Sequence, residues 1–121
     1  MTNQPDPSPE EVHVPVLPTE VIAGELAGRD PLTLEGWFVD GTTGAGGHAE
    51  LLLEACPKIH LLCTDQDPEA LKLASARLAR FGDRVRLRRS RMSDLCRVIR
   101  KERIGRISGA LFDIGVCSLH L

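Results

Sequence analysis

Two kinds of apolar pattern alternate along this chain. "GWFVD" (Gly36–Asp40), "IHLLCTD" (Ile59–Asp65) and "ISGALFDIGV" (Ile107–Val116, ending as a strand near Asp113) are compact apolar runs of strand length, which predicts buried strands. "RVRLR" (Arg84–Arg88) alternates strictly, with Val85 and Leu87 on one side. That pattern predicts an edge strand with one wet face. Between these runs the apolar residues fall at helical spacing. Asp67 as N-cap, Pro68 as first helical residue and Glu69 in the first turn open a helix whose buried face is Leu71, Ala74, Leu78 and Phe81. Gly47 to Leu53 opens another, which Pro57 excludes from continuing, and a third runs from Ser93 as N-cap to Gly105 as terminator. Upstream, "VLPTEVIAGELAG" suits a short helix with Thr19 as N-cap, Val21, Ile22 and Leu26 as its stripe, and Gly28 and Asp30-Pro31 as its stop.

The order is therefore a helix, three strand–helix pairs and a fourth strand. Regular alternation at this spacing predicts an α/β domain with a parallel sheet and crossover helices, Rossmann-like in architecture. Ligands in such sheets bind beyond the carboxyl ends of the strands. Residues 1–12, polar, acidic and Pro-rich, are expected to be a disordered lead-in, and 13–121 the folded part.

Composition narrows the class. With 121 residues the chain is one domain at most, and its three Phe and one Trp offer no stacking surface for single-stranded nucleic acid. No run approaches the ~20 apolar residues of a membrane span, and the N-terminus does not resemble a secretory signal, so a cytoplasmic, non-membrane protein is expected. Cys56, Cys63, Cys96 and Cys117 lack metal-ligand or disulfide-framework spacing, and Cys63 reads as an ordinary buried thiol. Ten of the fifteen Lys and Arg lie between Arg84 and Arg106, against Asp94 and Glu102 alone, which gives that stretch a formal charge of +8. Such a block suits either a polyanion or a solvated surface.

The chemistry concentrates in "DGTTGAGGH". Glycines 41, 44, 46 and 47 between strand and helix permit a tight turn and close approach of a ligand to the backbone. Asp65, 19 residues after Gly46, ends the next strand, where a carboxylate can accept hydrogen bonds from both hydroxyls of a ribose. A nucleoside-containing cofactor follows. The strand ends in Asp40 and the glycine spacing is not G-x-G-x-x-G, so the pattern suits the positive ammonium and sulfonium of S-adenosylmethionine better than a pyrophosphate.

"HVPVLPTEV", "VDGTTGAGGHAELLLE", "TDQDPEAL" and "GALFDIGVCS" resemble, in order and spacing, the bacterial methyltransferases that act on cytosine N4 in 16S ribosomal RNA. The resemblance runs from about His13 to the last residue. It implies a class I methyltransferase fold, S-adenosylmethionine as cofactor and the RNA of the small ribosomal subunit as partner. It places cofactor contacts on Gly46, Gly47, His48, Asp65, Met92, Asp113 and His120, with Asp113 as the candidate catalytic residue. Met92 stands where the family usually has an aromatic, His120 where it has glutamine, and Leu119 where it has proline. Cys117 would matter only for carbon-5 methylation, and His13 is a candidate for substrate contact near the cleft. The family's further strands and inserted helical domain lie beyond residue 121. A sheet truncated after its fourth strand is thus expected, with the outer edge of that strand unpaired and the chain inactive alone. Two alternatives stand beside this reading: a non-catalytic nucleotide- or RNA-binding fragment, and a nicotinamide-dependent oxidoreductase half-domain.

Overall fold

The computed structural model describes residues 13–14, 16–17, 30–111 and 119–120. Strands β1 (His13–Val14), β2 (Val16–Leu17), β3 (Glu35–Asp40), β4 (Lys58–Asp65), β5 (Val85–Arg89), β6 (Ile107–Leu111) and β7 (Leu119–His120) alternate from β3 onward with helices α1 (Gly47–Ala55), α2 (Pro68–Leu78) and α3 (Leu95–Glu102). Among the described residues the main sheet has five strands in the order β2-β6-β3-β4-β5, every neighbouring pair parallel. The anticipated parallel sheet with crossover helices is present, and the alternating basic strand β5 is its edge.

Side-chain alternation along the strands sorts the core into two layers. Phe38, Ile59, Leu61 and Cys63 face α1 and α2, where they pack with Leu52, Leu53, Ala74 and Leu78. Val39, Leu62, Ile107 and Ala110 face α3 and pack with Leu95 and Ile99. Asp67 caps α2 as its sequence announces, its carboxylate accepting the Glu69 N–H at 2.9 Å with Pro68 at the start of the helix. Ala74 and Leu78 are buried on the face read from the spacing, and Phe81 packs partly buried beside them.

Three expectations need correction. First, the outer edge of β6 is not bare. Val16 and Leu17 pair with Ala110 and Leu111, in a strand too short to show as a pattern because it lies between Pro15 and Pro18, which cannot donate to a ladder. Second, α3 starts at Leu95 with Asp94 at the N-cap position, since Ser93 lies inside a short 3-10 turn, Met92–Asp94. It ends on Arg103 in the left-handed conformation, φ 54°, two residues before Gly105. Third, the arginines of β5 do not simply point to water. Arg86 and Arg88 lie on the α3 face and bind Glu102, at 3.3 and 2.7 Å, and Arg86 stacks its guanidinium 4.7 Å from the centre of the Trp37 ring. The helix anticipated from Thr19 and the lead-in to residue 12 lie outside the described residues, as do Asp113 and Cys117.

Candidate functional site

The glycine turn leaves β3 at Asp40, which is buried at 2% exposure. Its Oδ1 accepts the Thr42 N–H at 3.1 Å, and its carbonyl accepts the Thr43 hydroxyl at 3.1 Å. The Thr43 N–H donates to the Thr64 carbonyl at 3.1 Å and the Gly46 N–H to the Thr43 carbonyl at 2.9 Å, so the turn is bonded to the end of β4 as well as to itself. Burial and the Asp40 charge push the Cys63 thiol well above its ordinary range, against a weaker opposing effect of a hydrogen bond with Thr43. Cys63 is thereby held as a protonated core residue.

The glycines have different tasks. Gly44 and Gly46 have φ of +55° and +91°, where a side chain is disfavoured. Gly46 also lies at the N-cap of α1, and a Cβ there would stand 3.3 Å from that of Ala74 on α2. Gly46 is thus buried and required for helix packing. Gly47 is different: an added Cβ would meet nothing within 4 Å. Gly46, at the N-cap, has no side chain to cap α1, and among the described residues the space beside Gly47 is open. His48 is exposed in the first turn.

Asp65 ends β4, half-exposed, and ties two loops together. Its Oδ2 accepts the Gly44 N–H at 2.8 Å and its Oδ1 the Asp67 N–H at 2.9 Å. Each carboxylate oxygen keeps a further lone pair. Sequence reading assigned Asp65 to a ligand alone; the structure gives it a second duty in holding the glycine turn against the start of α2. The sequence signal for this is the D-x-D-P spacing, an acid two residues before a helix cap.

Beside Asp65, between the carboxyl ends of β4 and β5, lies an open depression of about 420 Å³ lined by Gln66, Arg89, Ser90, Arg91 and Asp94. Its size falls within the range of small-molecule sites, roughly 300–1,000 Å³. Two bonds across the strand ends build its wall, Ser90 N–H to the Asp65 carbonyl at 3.0 Å and Arg89 Nε to the Gln66 carbonyl at 3.0 Å, with a local one from Arg97 to Asp94 at 2.5 Å. Met92 continues from this wall at 44% exposure, so it is a surface residue by the depression and not part of the core. None of the five lining residues was singled out from the sequence, although each follows closely on a strand end.

The structure thus brings Gly44, Gly46, Gly47, His48 and Asp65 to one end of the sheet, with Met92 near the depression. It does not join His120 to them by any described bond: the backbone of His120 pairs with that of His13 in the small antiparallel sheet of β1 and β7.

A glycine turn after one parallel strand, an acid ending the next and a depression between strand ends define a Rossmann-like domain of the class I methyltransferase type. A solved rRNA methylase from Streptococcus thermophilus shares this fold with a TM-score of 0.50 at 23% identity, over 68% of this chain and 45% of that one. Residues 10–121 match the model of the MraW methylase family, and the chain belongs to that family. It is 43% identical, over its whole length, to "Ribosomal RNA small subunit methyltransferase H" of Mycolicibacterium smegmatis. To the protein of the same name from Desulfovibrio desulfuricans it is 45% identical over 90% of its length. In each case it spans 32% of the relative, about a third. The nicotinamide alternative is not favoured by these matches.

Proposed function

We propose that this chain is the methyl-donor-binding part of an S-adenosylmethionine-dependent methyltransferase that modifies the N4 amine of a cytosine in 16S ribosomal RNA. The observation that carries the reading is Asp65, whose carboxylate binds the glycine turn at Gly44 and whose carbonyl accepts the N–H of Ser90, a residue that lines the open depression at the strand ends. The free lone pairs of Asp65 would accept the ribose hydroxyls, and the depression beside it would take the adenine, with Met92 lying against the ring. The space at Gly47 and the uncapped start of α1 suit the amino-acid end of the cofactor, whose carboxylate is favoured by a helix N-terminus. Buried Asp40 supplies negative charge behind the turn. His48, in the first turn of α1, completes this group, and His120 is assigned to it by resemblance alone.

S-adenosylmethionine supplies an electrophilic methyl group on a sulfonium. Transfer to an exocyclic amine requires no covalent intermediate on the protein, so positioning and charge stabilisation do the work. Asp113 follows β6 by two residues in the sequence, and β6 ends with Leu111 in register with Asp40. Its carboxylate is assigned to orienting the target amine and stabilising the positive charge that develops there. The transfer itself belongs to the whole protein; binding of the methyl donor is what is proposed for these 121 residues.

The test is calorimetric titration of S-adenosylhomocysteine, with NAD as comparator, into the wild-type chain and Asp65→Ala. Binding of S-adenosylhomocysteine alone, lost in the variant, supports the proposal. A folded chain that binds neither, or prefers NAD, overturns it.

A further inference from the structure

We propose that Arg100, Lys101, Arg103 and Arg106 form a second RNA contact, a phosphate-binding surface at the end of the sheet opposite the methyl-donor crevice. This inference rests on the reading of the chain as part of an RNA-modifying enzyme.

The basic segment divides sharply once its partners are known. Arg84 donates to the carbonyls of Ile59, Leu53 and Cys56, at 3.0, 3.0 and 2.7 Å. Arg86 and Arg88 hold Glu102, Arg89 holds the Gln66 carbonyl, and Arg97 pairs with Asp94. These five cations all have partners within the fold. Arg91 lines the crevice. The other four are exposed and make no ion pair or side-chain hydrogen bond among the described residues.

Glu102, the one acid between Arg97 and Arg106, does not neutralise them. Its carboxylate is turned toward β5 and is only 11% exposed, gripped by two arginines. Two arginines on one glutamate leave one positive charge, and the four exposed cations raise the local total to five. The dipole of α3 explains cations in its last turn, Arg100 and Lys101. It does not explain Arg106, beyond the end of the helix, nor an arginine held at φ 54° in Arg103, where glycine or asparagine is less costly.

Position follows from topology. α3 joins the carboxyl end of β5 to the amino end of β6, a parallel strand that lies beyond β4 and β3 in the same sheet, so its C-terminus and the turn after it lie at the amino ends of the strands. The crevice lies at the carboxyl ends. Along the eight residues of β4 the two ends stand roughly 20 Å apart. A contact here fixes the register and orientation of a large RNA without touching the reacting base.

The chemistry selects RNA backbone over an acidic protein. Protein interfaces centre on buried aromatic or apolar anchors. Here the one large apolar residue, Ile104, is 9% exposed and faces the core. Segment 100–106 has no aromatic residue. Trp37, which packs on the same cluster as Ile104, has its ring engaged by Arg86 and His60, so it is not free as a platform for base stacking. What remains is charge alone, three of the four groups being guanidinium forks that suit phosphate.

The test is fluorescence anisotropy of a short labelled RNA hairpin with the full chain between about 50 and 200 mM salt. The variant Arg100→Gln/Lys101→Gln/Arg103→Gln/Arg106→Gln is expected to flatten the slope of log affinity against log salt by about 3, near 0.7–0.9 for each lost phosphate contact. Its affinity for S-adenosylhomocysteine should be unchanged. The control Arg77→Gln/Arg80→Gln removes cations already paired with Glu50 and Glu54 and should change the slope by less than about 1. An unchanged slope in the quadruple variant, an equal change in the control, or displacement of the RNA by polyglutamate as effectively as by unlabelled RNA overturns the inference. Loss of cofactor binding in the wild type would sink the functional reading instead, and leaves the salt slope to judge this surface separately.

Discussion

Asp65→Ala tests both duties of that carboxylate in one protein. In the ligand-free fold it accepts main-chain N–H groups from Gly44 at 2.8 Å and Asp67 at 2.9 Å. A hydrogen bond to a charged acceptor contributes about 1.5–3 kcal/mol. Asp65 is half-exposed, so water replaces part of what alanine removes, and the combined loss should be about 1–2 kcal/mol. In a domain of this size each kcal/mol moves Tm by about 4 °C. Asp65→Ala should therefore melt about 4–8 °C below wild type. Asp65→Asn keeps one acceptor, now uncharged, and turns an amide N–H₂ against the other main-chain donor, so it should recover only a small part of that loss. The ribose contacts are a separate quantity: losing two charge-assisted hydrogen bonds, about 3 kcal/mol together, weakens S-adenosylhomocysteine binding by about 100-fold or more. Thermal melts followed by circular dichroism read the first effect, and calorimetry well below Tm reads the second. A Tm within about 1 °C of wild type would refute the tether between glycine turn and α2. Undiminished affinity in a stable variant would refute the ribose assignment.

Gly46→Ala and Gly47→Ala should separate packing from binding. The first forces a side chain at φ +91° against Ala74 and should cost about 1–3 kcal/mol in urea titrations, whereas the second enters open space and should cost under about 0.5 kcal/mol while weakening cofactor binding about tenfold. Arg84→Met keeps the apolar stem but strands three carbonyls near the end of α1; a loss of about 2–3 kcal/mol by urea denaturation is expected, and Arg84→Lys should recover less than half of it because one ammonium cannot replace the fork. Burial opposes ionisation of Glu102, but hydrogen bonds and charge from Arg88 and Arg86 outweigh it and hold its carboxyl below the ordinary glutamate value. The stability from this carboxylate is therefore fully present above that value and is lost as pH falls through the lower folded one. Urea midpoints measured from neutral to acid pH should show that loss in wild type and a shallower one in Glu102→Gln.

The elements themselves were legible because their signals are local. Compact apolar runs marked β3, β4 and β6, strict alternation marked β5 as an edge, and Asp67-Pro68-Glu69 fixed the start of α2 within three residues. The glycine turn and Asp65 were legible for the same reason: a tight turn and a strand-end acid are properties of short segments. Where two local signals competed, the reading slipped. Ser93 has the right chemistry for an N-cap, yet the chain takes a 3-10 turn there and starts α3 at Leu95.

Partnership between elements was another matter. Nothing near Arg84 in sequence says that its guanidinium will close on carbonyls from residues 53, 56 and 59, nor that Glu102 will turn inward to Arg86 and Arg88 and leave four other cations exposed. Sequence alone determined that this chain would form parallel strands and crossover helices, with a glycine turn and an acid at successive strand ends. Only the tertiary structure decided that Gly46 must admit Ala74, that Val16 and Leu17 would cover β6, and which arginines have partners within the fold. Periodicity and caps are written within a few neighbouring residues. A charge or a close approach finds its partner only after strand register and helix crossover have brought distant segments together.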